Sequence, residues 1–210
     1  MALDFFDLFA QTRLVGIFRG LRPDEAEEVI AAGIEGGLRI VEIPLNSPQP
    51  LTSIEVVSKR FGQDVIVGAG TVTSTAEVEQ VANVGGQLIV TPYARVDVVE
   101  KAKVLGLIAV PGAFTPTEIA AMHECGADAV KIFPADLMPP ATLKGLRAVL
   151  PQALALIPVG GINLGNMQEY LSAGAAGFGL GSALYRAGDQ ASDVLRRTRE
   201  FVAHMQQLSQ

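Results

Sequence analysis

The chain has 210 residues, 49% of them hydrophobic and 18% charged, with a formal net charge of −6. That length suits one α/β domain over residues 1–210 and leaves two cramped, and the apolar share fits a packed core rather than a disordered chain. The acidic excess gives nucleic acid or an anionic membrane no electrostatic hold, although a local cluster of donors still allows a small anionic substrate.

The first dozen residues, with Phe5, Phe6, Leu8 and Phe9 among acidic and polar neighbours, predict a short N-terminal helix. They lack the basic start of a secretory leader, so the cytoplasm is the expected location. Short apolar, β-branched runs then recur at 14–18, 38–43, 65–67, 88–91, 107–110, 129–133, 155–159 and 176–180. Helix signals fall between them. Pro23-Asp24-Glu25 opens one helix, with carboxylates at its positive end. Thr73-Ser74-Thr75 followed by Glu77 offers a capping box, and Thr115-Pro116-Thr117-Glu118 starts a later helix. Ala32-Gly33, Val84-Gly85, Leu105-Gly106, Cys125-Gly126 and Ala173-Gly174 read as helix ends. The uncharged run 148–168 is broken by Pro151, Pro158, Gly160, Gly161 and Gly165, against a membrane span. Cys125, the sole cysteine, forms no intrachain disulfide and reads as a small buried hydrophobe.

Eight strand signals alternating with helices predict a single-domain α/β fold, a (β/α)8 TIM barrel with a short N-terminal helix, over a doubly wound open sheet. In such a barrel the functional residues sit at the C-terminal strand ends.

Two charges fall inside apolar strands. Lys131, in Val130-Lys131-Ile132-Phe133-Pro134, has no easy route to water in a sheet covered on both faces. Burial there lowers an amine pKa and supplies a nucleophile for a ketone, while an ion pair or a frayed strand end is the plainer alternative. Glu42 shares a strand face with Ile40, so it points inward if Val41 and Ile43 face the helices. The two are either a salt bridge or a nucleophile with its proton shuttle. Arg19, Thr71 and Pro92 end the first, third and fourth strands, where a guanidinium and a hydroxyl suit a substrate carboxylate. Gly160-Gly161 and Gly181-Ser182 end the last two strands, where backbone N–H groups hold phosphate in many barrels. His123 and His204 fall in helical stretches, and no His/Cys cluster or nucleotide-binding glycine motif appears, so no metal and no cofactor is expected. A carboxylate-only magnesium site using Glu42 and Asp136 stays open.

In order along the chain, Ile17-Phe18-Arg19-Gly20, Val41-Glu42-Ile43-Pro44, Gly68-Ala69-Gly70-Thr71-Val72, Val90-Thr91-Pro92, Val110-Pro111-Gly112, Lys131-Ile132-Phe133-Pro134, Gly160-Gly161-Ile162 and Gly179-Leu180-Gly181-Ser182 resemble the KDPG/KDPGal aldolases, class I enzymes of the Entner–Doudoroff type. The resemblance runs to Leu184-Tyr185-Arg186. Leu45-Asn46-Ser47-Pro48 stands where the gluconate branch usually carries Leu-Arg-Thr, and Arg19 lies on the first strand instead, which resembles the galactonate branch. The resemblance implies Lys131 as Schiff-base lysine and Glu42 as proton shuttle. It implies Arg19 and Thr71 as substrate-binding residues, Pro92 as the residue that helps orient the shuttle, and Gly161 and Ser182 at the phosphate, with Gly160 and Gly181 beside them. It also implies a phosphorylated keto-acid substrate and a homotrimer. The gluconate-epimer aldolase, a phosphosugar epimerase and a non-catalytic phosphosugar-binding protein remain the alternatives.

Overall fold

The computed structural model describes residues 3–208. Helix α1 (Phe5–Thr12) begins at Asp4, whose carboxylate accepts the Asp7 N–H at 2.9 Å. Of the expected N-terminal helix, Met1 and Ala2 lie outside the described residues. Strands and helices then alternate: β1 (Leu14–Ile17), α2 (Pro23–Glu35), β2 (Ile40–Pro44), α3 (Pro50–Phe61), β3 (Ile66–Gly70), α4 (Thr75–Asn83), β4 (Leu88–Val90) and α5 (Val96–Val104). The second half continues with β5 (Ile108–Val110), β6 (Gly112–Ala113), α6 (Pro116–Glu124), β7 (Val130–Ile132), α7 (Pro140–Arg147), β8 (Leu156–Pro158), α8 (Met167–Ser172), β9 (Phe178–Leu180) and α9 (Ala191–Leu208).

The helix signals account for most of these boundaries. Ser74 with Glu77 and Thr115 with Glu118 form complete capping boxes on α4 and α6. Each such cap contributes about 1 kcal/mol. Gly85, Gly106, Gly126 and Gly174 have positive φ, as helix-ending glycines do. Gly33 departs from expectation. It lies inside α2, which continues to Glu35, and the left-handed turn falls on Gly37 at φ 119°. A Cβ at Gly33 would come within 3.3 Å of Leu38 and Phe18, so this glycine serves close packing rather than a turn.

The expected closed eight-stranded barrel is corrected. The structure is a curled six-stranded parallel half-barrel, in the order β5-β4-β3-β2-β1-β9, with a separate three-stranded sheet, β6-β7-β8. The physical cause lies at two seams. Pro111, just past the fifth predicted strand, has no N–H to donate, and after it the chain continues as a separate short strand, β6, which pairs in the other sheet. At the other seam β8 meets β9 through one isolated bridge, Val159 with Gly179. A few hydrogen bonds still tie the two sheets, including Asp128 N–H to the Ala109 carbonyl and Lys131 N–H to the Pro111 carbonyl, both 2.9 Å.

Strand alternation divides the interior into two layers. Val15, Ile17, Ile40, Ile66, Leu88, Val90, Val110, Ala129 and Ile157 form an inner cluster, which Phe5 and Phe9 of α1 close at the N-terminal strand ends. Val41, Ile43, Val67, Val130 and Ile132 point outward against the helices. Glu42 therefore shares the inner face with Ile40, and Lys131 with Ala129. No described helix is long and apolar enough to cross a membrane.

Candidate active site

The site has a floor and a rim. Lys131 and Glu42 form the floor, in the middle of β7 and β2, and only 6% and 2% of their surfaces meet solvent. Ladder neighbours fix both: Glu42 is registered with Ile17 of β1 and Gly68 of β3, and Lys131 with Gly112 of β6 and Ile157 of β8. Glu42 lies over Gly70, where a Cβ would overlap its Oε2. Gly70 thus leaves the space the carboxyl occupies. Among the described residues the Glu42 Oε2 has no hydrogen-bond partner. Burial pushes the Glu42 carboxyl above the ordinary carboxylate range, against the opposing pull of Lys131 and Arg19. Burial likewise pushes the Lys131 amine below its ordinary value; Glu42 opposes the shift and Arg19 adds to it. Desolvation penalises the charged form of each, so both lean towards neutrality. A free amine beside a carboxyl able to give and take a proton is the equipment for carbonyl chemistry. Phe133 covers the amine, its ring centroid 4.9 Å from Nζ.

Eight of the nine sequence-predicted site residues line one open cavity of about 820 Å³ at the C-terminal strand ends: Arg19, Thr71, Pro92, Lys131, Gly160, Gly161, Gly181 and Ser182. Glu42, the ninth, borders a small void beneath it, which Lys131 also touches. At the keto-acid side, Arg19 donates from Nη1 to Asn46 Oδ1 at 2.7 Å. Thr71 holds φ 58°, a left-handed conformation that costs a β-branched residue about 1–3 kcal/mol and clusters at functional sites. Pro92 is held in place by Thr91, whose buried hydroxyl donates to the Tyr93 carbonyl at 2.6 Å and accepts the Gly112 N–H at 3.0 Å.

The rim is made of backbone. Gly160 and Gly161 take φ 101° and 70°, open to glycine at little cost. The Gly161 carbonyl accepts from Asn163 Nδ2 at 3.1 Å and Asn166 Nδ2 at 3.0 Å, which fixes the loop. Among the described residues no acceptor takes the N–H of Gly161 or Ser182. A Cβ on Gly181 would meet nothing within 4 Å, so this glycine leaves room in the cavity rather than relieving a protein contact. Exposed N–H groups around an open space suit an anion. Asp136 packs against Gly161 at this rim, whereas Glu42 is in the floor, so the two do not share a metal site.

Sequence reasoning missed Asn46, Phe133 and Arg186. Asn46 was visible as a polar residue just past the second strand, and Arg186 as the end of the recognised segment.

An α/β chain with these groups at its strand ends is an enzyme of the aldolase class, an aldehyde-lyase. It belongs to the KDPG and KHG aldolase family, whose family model matches residues 7–199. It is 46% identical over 184 residues to a probable 2-dehydro-3-deoxy-6-phosphogalactonate aldolase of Rhizobium meliloti (strain 1021), covering 88% of this chain and 87% of the relative. It is 42% identical over 189 residues to the 2-dehydro-3-deoxy-6-phosphogalactonate aldolase of Escherichia coli (strain K12), covering 90% and 92%. A solved structure described as native KDPGal superposes with a TM-score of 0.92 at 41% identity, over 93% of this chain and 95% of that one.

Proposed function

We infer that this aldolase cleaves 2-dehydro-3-deoxy-6-phospho-D-galactonate to pyruvate and D-glyceraldehyde 3-phosphate through a Schiff base on Lys131. The observation that carries the reading is the pair of buried ionisable groups, Lys131 and Glu42, facing one floor with opposite pKa displacements. The neutral Lys131 amine adds to the C2 ketone, and the carbinolamine takes the proton of the Glu42 carboxyl as it loses water, giving a protonated imine and leaving Glu42 as carboxylate. Glu42, as carboxylate, takes the proton from the C4 hydroxyl. The C3–C4 electron pair moves into the imine, and the aldehyde product leaves with its phosphate. Glu42 then returns the proton to C3 of the enamine, and water hydrolyses the protonated imine to release pyruvate and the free amine, the imine proton passing back to the Glu42 carboxylate. The carboxyl finishes each half-reaction in the protonation state the next one needs.

Arg19 and Thr71 hold the substrate carboxylate, and Pro92 orients the shuttle. Gly160, Gly161, Gly181 and Ser182 receive the phosphate. Contacts so far from the breaking bond raise the rate by positioning C3 and C4. The galactonate epimer is favoured by the Arg19–Asn46 pairing in place of the gluconate-type Leu-Arg-Thr, and by the names of the two relatives. The same reading carries one domain over residues 1–210, a cytoplasmic homotrimer and a role in galactonate degradation.

Pyruvate release measured with both epimeric phosphates tests the assignment. The galacto epimer should be cleaved with a kcat/KM about tenfold or more above the gluco epimer, a discrimination of at least ~1.4 kcal/mol. An equal or reversed preference overturns the substrate assignment and leaves the aldolase class standing.

A further inference from the structure

We propose that Arg186 is the cationic ligand of the substrate phosphate, a reading that rests on the phosphorylated substrate argued above. The rim offers neutral donors: the N–H groups of Gly161 and Ser182, and the Ser182 hydroxyl. A phosphate dianion facing only these lacks a counter-charge in a protein whose net charge is −6. Two other cations line the cavity, and both have other work. Arg19 is tethered to Asn46 on the keto-acid side, and Lys131 is a buried amine. Arg186 lines the same cavity and stands beside the rim, its Nε donating to the Ser182 carbonyl at 3.1 Å. No Asp or Glu lines this cavity among the described residues.

The Asp189 carboxylate in the Arg186 loop is used elsewhere. Asp189 Oδ2 accepts the Arg186 backbone N–H at 2.9 Å and pairs with the Arg197 guanidinium. Asp189 therefore pins the loop by its backbone, and among the described residues no acceptor takes a hydrogen bond from the Arg186 Nη groups. Nε is spent on Ser182, which sets the plane of the fork, and the two Nη groups match the bidentate geometry of phosphate. The rival role is purely structural, with Arg186 only capping the Ser182 carbonyl. The two roles differ in what glutamine can replace, because glutamine supplies an N–H donor without charge.

The test compares Arg186→Ala, Arg186→Gln and Arg186→Lys on the phosphorylated acid and on its unphosphorylated counterpart, with thermal melts to show that each variant is folded. Arg186→Ala should lower the kcat/KM ratio of phosphorylated over unphosphorylated acid about 10- to 100-fold, the range of hydrogen bonds to a charged group. Competitive inhibition by inorganic phosphate should weaken in step. Arg186→Gln should fall as far as alanine, and Arg186→Lys should recover part of the loss. A wild-type ratio in Arg186→Ala, or full recovery by glutamine, overturns the proposal. A wild-type protein that shows no preference for the phosphorylated acid instead overturns the phosphosugar reading beneath it, so the two failures are distinct.

Discussion

The floor and the rim of this site solve opposite problems with opposite materials. The floor places two ionisable side chains inside apolar strands, where water is excluded and the charged forms are penalised. The rim uses glycine backbone and exposed side chains in loops, where solvent reaches Gly161, Ser182 and Arg186. Covalent chemistry at a ketone needs an amine without its extra proton, which burial supplies. Holding a phosphate needs donors in a fixed array, which backbone supplies without burial. The floor is therefore costly to build and intolerant of change, and the rim is cheap and adjustable.

Substitution at Glu42 separates the two regions most sharply. Glu42→Gln is expected to keep the imine with pyruvate but to lose about 10²- to 10⁴-fold in kcat, read in a steady-state cleavage assay. Normal turnover would remove the carboxyl from the mechanism. The same variant reports through stability. A buried carboxyl with a raised pKa adds stability that is complete below its unfolded value of 4.5 and is lost as pH rises through the folded value. Melting temperatures of wild type should thus decline from acid towards neutral pH relative to Glu42→Gln, and parallel pH profiles would contradict the displaced carboxyl.

A pair of glycine-to-alanine changes asks the same question of the backbone. Gly70→Ala would drive a methyl into the Glu42 carboxyl, so it should cost about 1–3 kcal/mol of stability by overpacking and roughly 10²-fold in kcat by displacing the shuttle. Gly181→Ala adds a methyl to open cavity, so denaturant midpoints should stay at wild type while KM for the phosphorylated acid rises roughly tenfold, about 1.4 kcal/mol. If both variants lost stability equally, the distinction between a packed floor and an open rim would fail.

Much of this was legible in the sequence, for physical reasons. Lys131 and Glu42 stood out because a charge in a β-branched run contradicts the burial of its neighbours, and alternation with Ile40 gave Glu42 its face. Thr73-Ser74-Thr75 with Glu77, and Thr115-Pro116-Thr117-Glu118, announced α4 and α6 because such start patterns are local. Closure of the sheet was not legible. Strand signals report which residues are apolar, whereas pairing across Pro111 and at Val159 depends on the register between distant strands, and there the expected barrel divides into a half-barrel and a three-stranded sheet. Gly33 misled because Ala-Gly is also a packing pair inside α2. Asn46 and Arg186 lay in polar loops, whose residues follow no period, and only their contacts with Arg19 and Ser182 reveal them.

The central claim is that Lys131 is a dehydrated amine that forms the imine. It is tested most directly by borohydride reduction in the presence of pyruvate across a pH series, with the adduct located by mass spectrometry. A depressed amine pKa predicts a single reduced adduct on the peptide containing Lys131, its yield rising with pH to half-maximum below the ordinary lysine value of 10.5. An adduct on another residue, no adduct at all, or a half-maximum at 10.5 would contradict the account.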